Sequence, residues 1–300
     1  MSDIKLKDLR YLVAVADSGH FGHAAERCFV SQPTLSAQLK KLEDYLGVQL
    51  IERQPKRASL TAAGEQIVAR ARLILSASDD VITIAQTHRD PLSGRLKVAM
   101  IPTVGPYVLP QVAPAVRRQM PRLDLLLFEY QTAAMLEKIL SGDIDLGVLA
   151  LPIENEGLAC RKLYDEDFNV ALPENHPLAR QSTVRIADLE NESLLLLEEG
   201  HCLRDQALEV CSRISVHERQ DFRATSLETL RQMVAAGAGV TLMPELASGG
   251  VYGNARGVVI RPLVRPKPHR QIGAVWRKSS ARLAAIQAFC DVLVKHVPLA

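Results

Sequence analysis

Apolar residues fall at helical spacing from the start of the chain. Leu6, Leu9, Leu12, Val13 and Ala16 mark one face of an amphipathic helix. A second, short helix is predicted from His20 to Cys28, with Ala24, Ala25 and Cys28 inward. Ser31-Gln32-Pro33-Thr34-Leu35-Ser36 then reads as the start of a third, because Ser can cap the first turn and Pro has no N–H to lose there. That helix buries Leu35, Leu39, Leu42 and Leu46 and stops at Gly47. Val48 to Arg53 and Ala58 to Leu60 predict a strand pair around a basic turn holding Lys56 and Arg57. The arrangement is that of a winged helix-turn-helix, with the motif itself at roughly residues 21–46.

From Ala62 to about His88 no proline interrupts the chain, and Ile67, Ala71, Ile74, Ser78, Val81 and Ala85 alternate steps of four and three. A continuous helix there spans roughly 40 Å. Its heptad-like stripe suits pairing with another helix, and equally a helix lying on its own domain. Asp90-Pro91-Leu92-Ser93-Gly94 follows as a hinge. Beyond it, short apolar strands alternate with helical segments: Arg95–Ile101, Leu123–Phe128, Asp145–Ala150, Phe168–Leu172, Ser193–Leu197, Phe222–Thr225 and Gly239–Met243. That alternation predicts α/β architecture with mainly parallel sheets, in two small lobes with a cleft between them. Ligands in such sheets bind beyond the carboxyl ends of strands, where Pro102-Thr103-Val104-Gly105 and Gln131-Thr132 lie. A last helix presents Leu283, Ile286, Phe289, Cys290 and Leu293 on one face.

The predicted domains are therefore a DNA-reading unit over residues 1–61, a linker helix over 62–90 and an effector domain over 91–300. Within the last, lobe I takes about 95–166 and 269–300, and lobe II about 167–268. Composition narrows the function. An aromatic content of 4% argues against base stacking on single strands, and a net charge of +2 means that DNA contact must come from a local basic face. The opening residues lead straight into an amphipathic pattern, not a signal peptide, and no apolar run reaches the roughly 18 residues of a membrane span. A soluble cytoplasmic protein without membrane contact is expected. No cofactor and no metal are implied, since ligand spacings for a metal are missing.

The third helix offers Gln32, Thr34, Ser36, Gln38 and Lys40 to base edges and phosphates, with Lys41, Arg53, Lys56 and Arg57 as phosphate contacts. On spacing alone, an ordinary three-helix bundle with a solvated face fits equally well. Ser31-Gln32-Pro33-Thr34-Leu35-Ser36-Ala37-Gln38-Leu39-Lys40-Lys41-Leu42-Glu43, followed by Leu46-Gly47, resembles the helix-turn-helix signature of LysR-type transcriptional regulators. Thr225-Ser226-Leu227-Glu228 and Val234 to Val240 are further elements similar to that family. The resemblance covers essentially the whole chain. It implies an effector domain like the periplasmic binding proteins, double-stranded promoter DNA as partner, contact with RNA polymerase, and self-association as a dimer or tetramer, usually a homotetramer.

Five cysteines are present at 28, 160, 202, 211 and 290. Cys202 stands between His201 and Arg204 near a helix start, each of which favours a thiolate if it points at the sulfur. Inert core thiols are the alternative. Gly200-His201-Cys202-Leu203-Arg204-Asp205-Gln206-Ala207 with Cys211 resembles the sensing loop of the OxyR-type hydrogen-peroxide regulators, a branch of the LysR family. Ile101 to Tyr107 and Phe222 to Leu230 resemble that branch too. The resemblance implies an activator of oxidative-stress genes in which Cys202 reacts with hydrogen peroxide and Cys211 resolves it to a disulfide. It implies a peroxide pocket with Thr103, Thr132 and His201, to which the neighbouring Arg204 is added, and a thiol reductant for reset. The chain departs from some relatives in carrying Asp221 where they have histidine, which bears on how the reduced state is held. If residues 202–211 form one regular helix, the two Cα atoms lie roughly 13 Å apart along its axis, whereas a disulfide tolerates about 7 Å. Closure would then need local unwinding. A regulator answering to a small organic effector, and a thiol peroxidase, are the alternatives carried forward.

Overall fold

The structure is a computed structural model that describes residues 4–54, 57–88, 90–212, 214–215, 217–249 and 256–298. The chain separates into two compact units, one running to Gln86 and including Leu140–Asp143, the other comprising Thr87–Ile139 and the chain from Ile144 onward.

In the first unit, helices α1 (Leu6–Ser18), α2 (Phe21–Arg27) and α3 (Gln32–Leu46) precede a hairpin of β1 (Ile51–Gln54) and β2 (Arg57–Leu60). Local chemistry sets each boundary. Gly19 and Gly47 end α1 and α3 in the left-handed conformation, at φ 60° and 67°. Ser31 caps α3 by accepting the Thr34 N–H, and the His20 ring caps α2 by accepting from Gly22. Leu12, Val15, Ala24, Leu35, Leu39, Leu42, Leu50 and Ile51 form one core. Leu46, expected in it, and Cys28 pack against its edge. A Glu43 carboxylate oxygen accepts the N–H groups of Leu50 (2.9 Å) and Ile51 (3.1 Å), tying the recognition helix to the start of the wing.

Helix α4 (Ala62–Thr87) is 26 residues long. Its first turns pack on the winged domain: Val68 and Ala71 are buried, and Ile67 sits against the core. Farther along, Ile74, Val81 and Ile82 are 48%, 66% and 58% exposed, an apolar stripe with no cover from its own unit. The helix therefore lies on its own domain over its first turns alone.

The second unit follows in the order β3 (Gly94–Met100), α5 (Gly105–Gln119), β4 (Leu123–Glu129), α6 (Thr132–Ser141), β5 (Leu146–Leu151) and β6 (Leu158–Pro173). Then come β7 (Ser193–Leu197), α7 (Cys202–Val210), β8 (His217–Ala224), α8 (Leu227–Ala235), β9 (Thr241–Pro244), α9 (Glu245–Ser248), β10 (Val258–Pro262), β11 (His269–Arg277) and α10 (Leu283–His296). One sheet runs β10-β6-β11-β5-β3-β4, with β9 also on β6, and β7 pairs with β8. The pairs β3–β4, β3–β5 and β7–β8 are parallel, whereas β11 with β5 and β6, and β6 with β9 and β10, are antiparallel.

The sheets are thus mixed, which corrects the expectation of mainly parallel pairing. The reason is β6, a 16-residue strand that pairs with β11 up to Asp167 and with β9 and β10 from Phe168 onward. Its first half carries Arg161, Lys162, Asp165 and Glu166, so it lacks the unbroken apolar run that marked Phe168–Leu172. Strands β10 and β11 escaped the sequence pattern altogether. In α10, Ile286, Phe289, Cys290 and Leu293 are buried as expected, while Leu283 is exposed. Among the described residues no helix is long and apolar enough to cross a membrane.

Gly64 is the tightest contact in the winged domain: a Cβ there would lie 2.0 Å from the Leu50 carbonyl oxygen. The obstacle is backbone that already accepts the Thr61 N–H, so it cannot swing aside. Gly64→Ala is expected to destabilise this unit by about 3 kcal/mol. Chemical denaturation followed by helical circular dichroism measures it, and a change within experimental error would contradict the packing described.

Candidate functional site

The recognition helix presents a polar face because its apolar positions recur every three or four residues and leave the others outward. Gln32, Thr34, Lys40 and Lys41 are exposed, and Ser36 and Gln38 are half-buried at the edge of the helix. The Thr34 hydroxyl shares a 2.7 Å hydrogen bond with the capping Ser31. Arg57 is exposed on β2. The Arg53 side chain and Lys56 lie outside the described residues. Basic and amide groups therefore flank the N-terminal half of α3, the part that enters a major groove in this motif.

The second site is a closed slit in the second unit, without room even for a water-sized molecule, lined by Ile101, Pro102, Thr103, Gln131, Thr132, Gly200, His201 and Cys202. Three strand-to-helix junctions meet there. Thr103 follows β3, Thr132 opens α6 directly after β4, and His201 and Cys202 begin α7 after β7. Carboxyl ends of strands leave such crevices open, because the chain must turn away to enter the next helix. Gly200 permits the close approach: its φ is 93°, and a Cβ would sit 2.6 Å from the Gln131 side-chain oxygen. A guest of even a few heavy atoms must part this lining to enter.

Its polar groups are few and specific. Thr103 is 2% exposed and its hydroxyl accepts a hydrogen bond from Arg270 at 2.8 Å. The Thr132 hydroxyl oxygen is buried without a hydrogen-bond partner among the described residues. Leaving such a group unpaired costs about 1–3 kcal/mol, so the arrangement favours a small polar guest. His201 is buried, and burial lowers its pKa against the opposing pull of Glu198 and Glu129. The imidazole is therefore neutral near pH 7 and acts as a hydrogen-bonding group.

Two expectations about the thiol's surroundings need correction. His201 is not a cation beside Cys202, because desolvation outweighs its acidic neighbours. Arg204, placed in the pocket from the sequence, is absent from its lining: the guanidinium is committed to Leu197 O at 3.3 Å and the Glu218 carboxylate at 2.7 Å. It braces β7 against β8. What remains is the position of Cys202 as the first residue of α7, at the helix end that favours negative charge.

Cys211 closes the other end of α7 as its C-cap and is 1% exposed. Burial pushes its thiol up to about 11, and Cys290 in α10 up to about 12. Cys160 is exposed on β6 and Cys28 half-buried, its thiol also raised by burial. All five are free thiols. Since α7 is regular from Cys202 to Val210, Cys211 lies roughly 13 Å along the axis from Cys202. Asp221 falls in β8, and its side chain lies outside the described residues. Among the described residues no group of His, Cys, Asp or Glu is arranged to hold a metal.

The sequence reading missed Glu166 and Arg270. Glu166 and Arg270 sit on β6 and β11, in stretches where no strand was expected, and charged residues at inward positions of a strand leave no apolar signature. Gln131 was noted only as part of a strand end.

A polar-faced winged helix-turn-helix joined to a two-layered ligand-type domain is the plan of a bacterial one-chain regulator. The chain belongs to the LysR family. Residues 6–65 match "Bacterial regulatory helix-turn-helix protein, lysR family", and residues 89–298 match "LysR substrate binding domain". It is 43% identical over 296 residues to the hydrogen peroxide-inducible genes activator of Dickeya chrysanthemi, covering 99% of this chain and 97% of that one. To the DNA-binding transcriptional dual regulator OxyR of Escherichia coli K12 it is 46% identical over 277 residues, covering 92% and 90%. Among solved structures it is similar to a full-length OxyR cysteine-to-aspartate variant from Pseudomonas aeruginosa, with TM-score 0.81, 38% identity and 98% and 95% coverage. A peroxide-bound cysteine-to-serine variant of Corynebacterium glutamicum OxyR gives TM-score 0.68 at 36% identity, with 97% and 92% coverage.

The burial of the thiols predicts their order of labelling. Brief treatment of the native, reduced protein with iodoacetamide at pH 7 should modify Cys202 and Cys160, and leave Cys211 and Cys290 unmodified until the protein is denatured. A thiol held near 11 is ionised in only about one molecule in ten thousand at that pH. Peptide mass mapping reads the outcome, and early labelling of Cys211 would contradict its placement.

Proposed function

We propose that this chain is a peroxide-responsive transcriptional activator, and that Cys202 is the atom through which it senses. The observation carrying this reading is the convergence of Cys202 with Thr103, Thr132 and neutral His201 around one slit, whose polar lining offers hydrogen bonds to a molecule as small as hydrogen peroxide once its walls part. The names of the relatives support it, being hydrogen peroxide-inducible activators and OxyR proteins along nearly their whole length.

In the proposed chemistry the Cys202 thiolate attacks one peroxide oxygen. The S–O bond forms as the O–O bond breaks, and the departing hydroxide takes up a proton to become water. Sulfur is oxidised by two electrons and peroxide is reduced. Thr103, Thr132 and His201 hydrogen-bond the peroxide and its leaving oxygen. The resulting sulfenic acid condenses with the Cys211 thiol, releasing a second water and leaving a disulfide. Because about 13 Å of regular helix separates the ends, closure requires α7 to unwind. Unwinding buried structure next to β7 and β8 is a change large enough to move subunits and respace their DNA-reading heads. A cellular thiol reductant resets the pair.

The remaining assignments follow the same plan. Gln32, Thr34, Ser36, Gln38, Lys40, Lys41 and Arg53 contact double-stranded promoter DNA, with RNA polymerase as the downstream partner. The exposed stripe of α4, including Ile74, Val81 and Ile82, pairs with a second copy, in a dimer or tetramer. The site of action is the cytoplasm. The domains run 1–61, 62–90 and 91–300, with the lobes of the last dividing near 166/167 and 268/269. A small organic effector finds less support, because the slit is too narrow for one.

Stoichiometric hydrogen peroxide added to the reduced protein should produce a Cys202–Cys211 crosslink detectable by mass spectrometry. The footprint on DNA upstream of its own coding sequence should lengthen or shift at the same time. Cys202→Ser should abolish both responses while retaining the reduced footprint. An unchanged wild-type thiol, or a crosslink to Cys160, would refute the assignment. Lysine contacts are separable by salt: Lys41→Ala should weaken binding to all sequences and reduce the salt slope by about one.

A further inference from the structure

Deep in the regulatory unit, Glu166 of β6 and Arg270 of β11 face each other in register across the sheet. Both side chains are completely buried, at 0% exposure. One carboxylate oxygen of Glu166 accepts from Arg270 Nε at 2.8 Å and Nη2 at 2.7 Å, and the other accepts the Leu246 N–H of α9 at 3.0 Å. Arg270 continues to the slit: its Nη1 donates to the Thr103 hydroxyl oxygen at 2.8 Å and its Nη2 to the Thr103 carbonyl at 2.9 Å. A buried ion pair of this kind adds little stability compared with apolar residues of the same volume. Its geometry, by contrast, has a definite consequence for Thr103.

Guanidinium is purely a donor. Once the Thr103 oxygen accepts from Arg270, its own proton is left to point elsewhere, and the open side of Thr103 is the slit. The positive charge behind the oxygen also polarises the O–H bond, as charge-assisted chains do. We infer that Glu166 is a positioning residue for peroxide reduction: by holding Arg270 against Thr103, it makes the Thr103 hydroxyl a fixed donor aimed into the cleft. A preset donor stabilises negative charge developing on the departing oxygen without reorganising during the reaction. This rests on the assignment of Cys202 as the peroxide-reactive thiol.

The test compares full-length variants for oxidation of Cys202 by hydrogen peroxide and, separately, for its alkylation by iodoacetamide, a reaction with no peroxide to orient. Glu166→Gln removes one acceptor of the three-way contact and should slow oxidation about tenfold, with alkylation unchanged. Thr103→Val should slow oxidation at least as much. In the Thr103→Val background the Glu166→Gln change should cost nothing further, because the same hydroxyl is already gone.

Glu166→Gln leaves Arg270 partly unpaired and can damage the fold. The paired Glu166→Met with Arg270→Met variant therefore removes both charges together, and far-UV circular dichroism checks that it is folded. It too should lose about tenfold in oxidation and nothing in alkylation. A peroxide rate within twofold of the wild type in a folded variant overturns the inference. So do losses that multiply with Thr103→Val, and so does an equal fall in alkylation, which would place the effect on the thiol itself. If wild-type Cys202 is not oxidised by peroxide, the functional assignment fails first, before any variant is measured.

Discussion

Helix α7 keeps Cys202 and Cys211 about 13 Å apart along its axis, and a disulfide bridges Cα atoms no farther than about 7 Å. Two thiols in one short segment would otherwise bond with little change around them. Placed at opposite ends of a regular helix, they can bond only at the expense of its hydrogen bonds and of the burial of Cys211. Under the proposed chemistry, that distance would convert a local oxidation into a change of fold. Leu203 and Ala207 are buried on the same helix, so unwinding also exposes apolar surface to be repacked. Burial keeps the Cys211 thiol protonated, whereas Cys202 is partly exposed at the other end of the helix.

The slit around Cys202 is built with little net charge. The cations expected beside the thiol are occupied otherwise: His201 is neutral through burial, and Arg204 is bound to Glu218. Under the proposed function such a site would suit a small neutral guest, because its polar lining consists of hydroxyls, an amide and a neutral imidazole. One hydroxyl, that of Thr103, is held by an ion pair between β6 and β11, so two strands that supply none of the slit's lining bear directly on it.

In the N-terminal unit the same economy of local rules holds. Capping by Ser31 and termination at Gly47 set the length of the recognition helix, while Glu43 joins it to the wing. The stem of α4 is anchored by Val68 and Ala71, and farther on its apolar side chains stand in solvent. A helix anchored at one end and bare along the rest offers an apolar surface, which the proposed assembly would cover with a second copy.

Much of this was legible in the residues. Periodicity of apolar positions, with Gly and Ser punctuation, located α1 to α4 to within a few residues, since helix boundaries are decided by contacts three or four residues apart. Short apolar runs located β3, β4, β5 and β7 for a similar reason. The family-like motifs around Ser31 to Glu43 and Gly200 to Cys211 pointed to the DNA-reading helix and the thiol pair. Tertiary structure alone decided the rest. The polar half of β6 and the whole of β11 become strands because they pair with each other across about a hundred residues of chain, which no local pattern records. Whether His201 carries charge, and whether Arg204 faces the sulfur or Glu218, depends on desolvation and on partners supplied by other strands. The clamp of Glu166 and Arg270 on Thr103 joins three segments far apart in sequence, and only folding brings a carboxylate and a hydroxyl each within 3 Å of the same guanidinium.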